Sequence, residues 1–317
     1  MYNLSMENSQ EHLKIKKNQW KNFYFIEYKF YFDKMMMSTF FLLIIIFPLL
    51  VSIIVKYTTS GNIYFDLFPI IQFGLPAICF VIFIFRYRVK FFSRSIFLFF
   101  LVVPLIRMLF YSLNIVFNVL DLGDKTLNEI LAFFLNIFFA IIQLACCFWF
   151  AIKTKIFKQW FIKAFCQNNF LRTIIIIGIA TMIFFVLQLL LSFIPGLIGS
   201  NGSSGNQSSL EQMTSSVFGT INLFIASVIV APIFEEIFYR YYIIWFSNNS
   251  LIGYFLSVVY FASLHVMTYG DFENIFPYFA LGIVNGFIFY YFNNLAPAIL
   301  VHFFANLFSF ITILLIK

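Results

Sequence analysis

Long apolar runs separated by short polar stretches occupy nearly the whole chain. Runs of roughly 17–25 residues can cross a bilayer as helices. They occur at Met35–Val55, Leu67–Phe85, Ser95–Leu120, Ile130–Ile152, Thr173–Ile194, Val217–Phe246, Leu251–Met267, Ile275–Phe292 and Leu295–Ile316. Only helices and closed barrels satisfy all backbone polar groups in hydrocarbon, and these runs are too long and too uniformly apolar for barrel strands. The pattern predicts an all-α polytopic membrane protein with about nine transmembrane helices, the last four forming a C-terminal core.

The composition excludes a soluble protein. Of the 317 residues, 62% are hydrophobic and 10% are charged, whereas about 25% of the residues in soluble domains are charged. A lipid bilayer must therefore surround most of the chain, which predicts an integral membrane protein, in the plasma membrane if the source is bacterial.

Basic residues concentrate in alternate polar segments, at 1–34, 86–94 and 153–172, and the loops between them are poor in base or acidic. Because basic loops stay cytoplasmic, the N-terminus is predicted to be cytoplasmic and the C-terminus outside. This topology accounts for the net charge of +7, so nucleic acid is not expected as a partner. Residues 1–34 fit either a cytoplasmic tail or a helix lying at the membrane interface.

One segment breaks the apolar pattern in the second half of the chain. Residues 196–216 are rich in Gly, Ser and Asn, a composition that favours a flexible connection. We expect an outer linker between a five-helix membrane region, 35–195, and a C-terminal membrane domain, 217–317. Within the first region Arg107 is the exceptional buried charge, and a structural role is favoured for it.

The candidate chemistry lies after this linker. Ionisable side chains inside membrane spans are costly and by default mark function, and the last spans carry Glu235, Glu236, Arg240, His265 and His302, with Asn306 one helical turn beyond the last histidine. At about 1.5 Å per residue, Glu235 lies about 16 Å from the inner end of its helix, His265 about 21 Å, and His302 with Asn306 about 10–17 Å. The groups therefore reach overlapping depths and are expected to share one cavity.

Helical spacing separates the two adjacent glutamates. Glu236 and Arg240 are four residues apart and share a face, which predicts a structural ion pair. Glu235 points about 100° away around the helix and has no cation of its own. His302 and Asn306 also share a face, so the amide can hold the imidazole or reach the same ligand.

Two kinds of chemistry fit these side chains. A carboxylate beside two imidazoles in a water-poor cavity suits a general base, with a histidine and Asn306 as donors to a developing oxyanion. The alternative is a divalent metal such as zinc, held by Glu235, His265 and His302 and activating a water. The chain lacks a helical HExxH, which would favour zinc strongly, so metal-independent activation of water is preferred.

Three stretches in this order, EEIFYR (235–240), FASLH (261–265) and HFFAN (302–306), resemble the motifs of the CAAX protease and bacteriocin-processing family. That family includes the Ras-converting CAAX endopeptidases and the lysostaphin-resistance-like proteins of bacteria. A glycine-bearing span, with Gly282 and Gly286, is also similar, and those glycines are expected to form a close packing face. The sequence departs from the pattern at Tyr241, where relatives often have glycine.

The resemblance implies an intramembrane endopeptidase acting on a membrane-associated peptide or protein, prenylated or not. It implies that Glu235 activates water with His265, that His302 and Asn306 form an oxyanion pocket, and that Glu236 and Arg240 are structural. Some family members are associated with bacteriocin immunity, so a catalytically idle immunity or scaffold protein is the second hypothesis. A proton-coupled transporter is the third, disfavoured because no internal repeat is evident.

Overall fold

The computed structural model describes residues 41–58, 125–154, 156–166, 169–199, 204–245, 250–267 and 269–316, with single positions at 74, 75, 78, 105, 106, 109 and 247. All of them belong to one compact unit, Tyr31–Lys317. Throughout these residues the regular structure is helical, which confirms the predicted all-α class. The N-terminal segment 1–34, nearly all of the second and third predicted spans, and Arg107 lie outside the described residues.

The described helices are numbered here in chain order. Helix α1 is π-helical over Phe41–Ile46 and α-helical over Phe47–Thr58. The others are α2 (Lys125–Thr154), α3 (Ile156–Phe165), α4 (Phe170–Leu197), α5 (Gly205–Met213), α6 (Val217–Trp245), α7 (Leu251–Met267), α8 (Phe276–Phe292) and α9 (Leu295–Ile316). A single 3₁₀ turn, Phe272–Asn274, joins α7 to α8.

Four stretches of the described chain are long and apolar enough to cross a membrane: Glu129–Ile152, Phe170–Leu197, Val217–Ile244 and Leu295–Ile316. Shorter apolar helices occur at Phe41–Ile54, Leu251–Met267 and Phe276–Phe292. Large apolar side chains along α4, including Met182, Leu189 and Phe193, are mostly exposed, as expected for a helix that faces lipid. A membrane protein is therefore confirmed, while the count of about nine spans stays a prediction.

Helix α6 changes its winding along its length. It is α-helical over Val217–Leu223, π-helical over Phe224–Val230, α-helical over Ala231–Glu235 and π-helical over Glu236–Trp245. Pro232 favours a break in this helix, because proline lacks the N–H that an α-helical turn needs. The helix instead continues through it, with a π-helical stretch directly before. Such i→i+5 segments occur frequently at functional sites, and the change at Glu235–Glu236 falls on the paired glutamates.

The segment expected to be a flexible linker contains a folded helix, α5. The side chain of Ser204 caps it by accepting a hydrogen bond from the N–H of Gln207 at 3.1 Å, and Asp271 Oδ2 accepts one from Gly205 N–H at 2.8 Å. Ser204 also lies 2.7 Å from the hydroxyl of Tyr278. Composition favoured flexibility, but a helix cap and bonds to the α7–α8 turn hold residues 204–213 in place.

The loop between α2 and α4 contains a second short helix, α3. Trp160 on α3 is buried against Phe150, Tyr241 and Phe289, and its carbonyl accepts a hydrogen bond from Asn294 Nδ2 at 3.2 Å. Helix α3 thereby contacts the end of α6 that carries Tyr241. Trp160 thus packs beside Tyr241, the residue at which the sequence departs from the motif pattern.

Helices α6, α7, α8 and α9 pack around one another, with α4 against α8 and α9. Helix α8 packs against α7 through the predicted glycine face. A Cβ atom placed on Gly282 would lie 3.3 Å from Val258 Cγ1, and one on Gly286 would lie 2.9 Å from Tyr254 Cε2. Small residues at this crossing let the two backbones approach closely. Asn285, which lies between these glycines, donates to Glu236 on α6.

Candidate active site

Glu236 lies at the centre of a buried polar cluster. Its Oε1 accepts hydrogen bonds from Asn285 Nδ2 at 3.0 Å and His302 Nδ1 at 2.8 Å. Its Oε2 accepts one from Arg240 Nε at 3.1 Å. Glu236, Arg240 and Asn285 are fully buried, and His302 is 2% exposed. The carboxylate therefore joins α6, α8 and α9 at one point, and both of its oxygens are occupied by donors.

Arg240 extends the cluster to α7. Its Nη1 donates to Ser257 Oγ at 2.8 Å, and its guanidinium carbon lies 4.9 Å from the ring centroid of Phe261. The predicted contact between Glu236 and Arg240 is made, because residues four apart still meet on one side of this helix. The structure adds two further donors to that glutamate, from helices that the spacing argument did not include.

Phe261 contacts both imidazole rings. Its ring centroid lies 4.8 Å from that of His265 and 5.9 Å from that of His302. The structure thus brings both histidines to one aromatic side chain, although they come from different helices, α7 and α9. Phe261 lies in the core, as its apolar character suggests, and its ring contacts the imidazoles of both histidines.

His265 is held from two sides. Its Nδ1 lies 2.9 Å from the carbonyl oxygen of Phe261. Because a carbonyl can only accept, the neutral ring carries its proton on Nδ1, and Nε2 is the acceptor. The imidazole stacks on Tyr278, with ring centroids 4.6 Å apart, and the tyrosine hydroxyl bonds to Ser204 and Asn206. Helix α5, which follows Ser204, is thereby tied to the side chain that packs on His265.

Glu235 differs from its neighbour in its surroundings. Its side chain is half-buried, and within the described part of the chain it makes no hydrogen bond or ion pair. Within the described residues its oxygens therefore have no hydrogen-bond donor, whereas those of Glu236 have three. This difference agrees with the expectation that the helix turns Glu235 away from Arg240.

Asn306 has a different partner from the one expected. We predicted that its amide holds His302 or reaches the same ligand, but its Nδ2 donates to the carbonyl oxygen of Ser227 at 2.7 Å. Ser227 lies in the first π-helical stretch of α6. Helix spacing places Asn306 on the face of His302, but it does not determine which backbone atoms of α6 lie opposite. One amide N–H is used by this bond, and a second is available to another acceptor.

The predicted metal set is not assembled. Among the described residues no group of three His, Cys, Asp or Glu side chains lies in an arrangement that could hold a metal ion. Glu235, His265 and His302, the possible ligands in the metal alternative, therefore do not fit a three-ligand zinc site, which needs its donor atoms converging at about 2 Å from the ion. We derive no step through a metal.

Sequence reasoning missed three polar residues of this region, one of which is Ser257, the acceptor of Arg240 Nη1. Asn285 donates to Glu236. The sequence feature that could have identified it is a polar amide in an apolar span, between the two glycines of α8. Tyr278 packs on His265, but nothing in the sequence distinguishes it from the other aromatic residues. The spacing of the motifs located the remaining members, Glu236, Arg240, His265 and His302.

Residues 217–308 match the family model described as Rce1-like, type II CAAX prenyl endopeptidase Rce1-like. This match covers every residue of the cluster and confirms the resemblance seen in the motifs. The chain is also 32% identical over 164 residues to an uncharacterized protein of Mycoplasma capricolum subsp. capricolum. That alignment covers 48% of this chain and 47% of the relative, so the chain spans about half the length of the curated relative it matches. No solved structure matches the chain.

Proposed function

We propose that this chain, whose residues 217–308 carry the domain of type II CAAX prenyl endopeptidases, is an intramembrane endopeptidase that hydrolyses a peptide bond with activated water. The family match supports proteolysis inside a membrane at the level of the family. The roles of individual residues are our proposal and rest on the geometry of the cluster.

The observation that carries the proposal is the difference between the two glutamates. Both oxygens of Glu236 accept hydrogen bonds from Arg240, Asn285 and His302, so this carboxylate is a poor acceptor for a further proton. Glu235, one residue earlier, is half-buried and makes no hydrogen bond or ion pair within the described residues. A general base must be able to reach the proton it removes. We therefore assign water activation to Glu235.

The two histidines receive different roles because Nδ1 of His265 faces a backbone carbonyl, whereas Nδ1 of His302 faces the carboxylate of Glu236. In neutral His265 the Nε2 atom is an acceptor, since Nδ1–H is used by the carbonyl of Phe261. This tautomer can help to orient or deprotonate the attacking water. His302 and Asn306 are the oxyanion donors in this proposal, the latter through its second amide N–H. Donors aimed at the developing negative charge contribute most when water is excluded.

The substrate class is a peptide or protein segment at the membrane, and the bilayer is the medium that presents it. A prenylated C-terminal cysteine is one target that the family suggests, and an unmodified peptide is the other. The described residues do not select between them, so both peptides belong in the assay.

The test uses the full chain, purified in detergent or nanodiscs, with prenylated and unprenylated peptides, in the presence and absence of a chelator. Glu235→Gln should abolish cleavage while the protein stays folded, because Gln has the same size but cannot accept the water proton. The chelator arm reports directly on metal dependence. If neither peptide is cut and Glu235→Gln keeps the wild-type phenotype in cells, the protein is an immunity or scaffold protein. Proton flux in vesicles without cleavage would indicate a transporter.

A further inference from the structure

The sequence assigns Glu236 to a structural ion pair with Arg240, but that pair uses only one of its two oxygens. Oε2 faces Arg240 on the same helix, whereas Oε1 faces His302 on α9 and Asn285 on α8. A salt bridge within one helix does not require donors from two other helices. The contact with His302 is also the shortest of the three, at 2.8 Å.

We propose that Glu236 is a positioning residue for His302: it fixes the tautomer of the imidazole and supplies the counter-charge for its doubly protonated form. This inference rests on the proposed function, because the role of His302 as an oxyanion donor comes from there. Arg240 and Asn285 hold the carboxylate, and the carboxylate holds the ring.

The tautomer follows from the nature of the partner. An ionised carboxylate only accepts hydrogen bonds, so the atom facing it, Nδ1 of His302, must carry a proton. In the neutral ring Nε2 is then an acceptor. For Nε2 to donate to an oxyanion, the ring must be protonated on both nitrogens. The second proton comes from water and returns to water after product release, so none is consumed, and the cation needs a nearby negative charge. Oε1 of Glu236 is that charge. The same arrangement of carboxylate and imidazole orients the histidine of serine proteases and stabilises its imidazolium.

The charges of the cluster also favour this role. With neutral His302, the Glu236 carboxylate and the Arg240 guanidinium balance each other in a fully buried site. A proton on Nε2 would leave one excess positive charge, which is costly away from water. An oxyanion at the same place restores neutrality. The cluster is thus suited to a negative charge that appears during the reaction, and it does not require one beforehand.

A purely structural cluster should also satisfy its own polar atoms. Arg240 Nη2 and Asn285 Oδ1 are buried and have no hydrogen-bonding partner within the described residues. Buried unsatisfied groups in native proteins are uncommon and are tolerated chiefly where function requires them. This observation is independent of the His302 contact and supports the same conclusion.

The decisive comparison is Glu236→Gln/Arg240→Gln against wild type. This double variant keeps the shape of residue 236, shortens the side chain at 240 and removes both charges together, so it does not leave one buried charge unpaired. If Glu236 only neutralises Arg240, the variant should be folded and fully active. If Glu236 positions His302, the variant should be folded, with KM little changed and kcat lowered at least about 100-fold, the loss expected when one oxyanion donor is removed. The reason is that an amide can turn either end toward the ring and no longer dictates the tautomer. Full activity of a folded double variant would overturn the inference.

A spectroscopic measurement separates this inference from the proposed function. The chain has three histidines, at positions 12, 265 and 302, so ¹⁵N-histidine labelling gives few signals, which single His→Gln variants assign. Wild type should show His302 with Nδ1–H and a strongly hydrogen-bonded proton, and the double variant should lose this signature. Unchanged His302 signals would contradict the inference even if peptides are cleaved. The expected signals without any cleavage would instead contradict the proposed function alone.

Ser263→Ala is the matched control for both measurements. Ser263 is as buried as Glu236 and lies on α7, but its hydroxyl bonds only to the carbonyl of Val259 on its own helix. This variant should leave kcat and the His302 signals unchanged, which shows that the loss of any buried polar group is not sufficient to produce the effect.

Discussion

Nδ1 of His302 lies 2.8 Å from Oε1 of Glu236, and not against Glu235, the neighbouring glutamate to which the sequence assigns the chemistry. The two adjacent carboxylates are therefore divided between two tasks. One is enclosed by donors from three helices, and the other has no donor within the described residues. A substitution at either position should accordingly report on a different property of the protein.

Arg240→Leu should destabilise the protein strongly. The change leaves the fully buried carboxylate of Glu236 without its cation, and breaking one partner of a buried ion pair costs about 3–5 kcal/mol. The midpoint of denaturant unfolding in detergent measures this loss. The stability of Arg240→Lys should lie between those of wild type and Arg240→Leu, because a lysine cannot donate to Glu236 and Ser257 in the same planar geometry. An Arg240→Leu protein as stable as wild type would show that Glu236 is neutralised in another way.

Gly286→Ala should loosen the crossing of α7 and α8. The added Cβ would lie 2.9 Å from Tyr254 Cε2, so the ring or the helix must shift, and such overpacking costs about 1–3 kcal/mol. Gly178→Ala is the control, because no heavy atom lies within 4 Å of a Cβ at that position on α4. It should be neutral or stabilising, since alanine favours a helix by about 1 kcal/mol over glycine. Equal unfolding midpoints for the two variants would contradict the close packing.

Tyr278→Phe should release α5 without removing the ring that stacks on His265. The hydroxyl bonds to Ser204 and Asn206 are lost, and each is worth about 1 kcal/mol. Hydrogen exchange of the amides in Gly205–Met213 should therefore become about 30-fold faster, since every 1.4 kcal/mol is about a factor of ten. Tyr291→Phe on the same helix is the control, because Tyr291 is 60% exposed. Unchanged exchange in Tyr278→Phe would show that other contacts hold this helix.

Acidification should strengthen the attachment of α5 to the α7–α8 turn. Burial raises the pKa of the Asp271 carboxyl, against the hydrogen bonds from Gly205 and Asn274 that lower it. A carboxyl whose pKa is raised on folding binds its proton more tightly when docked, so the docked state gains stability as the pH falls from neutral through that pKa. The proton can occupy Oδ1, which has no partner in the described residues, while Oδ2 still accepts from Gly205.

Protection factors of the α5 amides, corrected for intrinsic exchange, measure this effect between neutral pH and the acid range. Asp271→Asn should remove the pH dependence and dock at least as well at neutral pH, because its amide oxygen still accepts from Gly205 N–H. Asp271→Leu should lose docking at every pH. A fall in wild-type protection on acidification would show that the charged form of Asp271 is the one that holds the helix.

Local patterns in the sequence were sufficient for several parts of this structure. Lengths of apolar sequence predicted the helices, because a helix satisfies its own backbone in lipid and needs no distant partner. Spacing predicted the contact of Glu236 with Arg240 and the close approach at Gly282 and Gly286, since each depends on one helix face. The order of the motifs predicted the family resemblance, which the match over residues 217–308 confirms.

Tertiary structure decided which groups meet across helices. His302 faces Glu236, Asn306 faces the carbonyl of Ser227, and Asn285 completes the cluster. Periodicity gives the relative directions of side chains on one helix, but not the rotation of that helix against its neighbours. Two π-helical stretches in α6 add further rotation that no residue pattern reveals. Helix α5 likewise depends on contacts with Asp271 and Tyr278, which lie more than 60 residues away in sequence. A composition rich in Gly and Ser predicts flexibility only for a segment that has no such tertiary contacts.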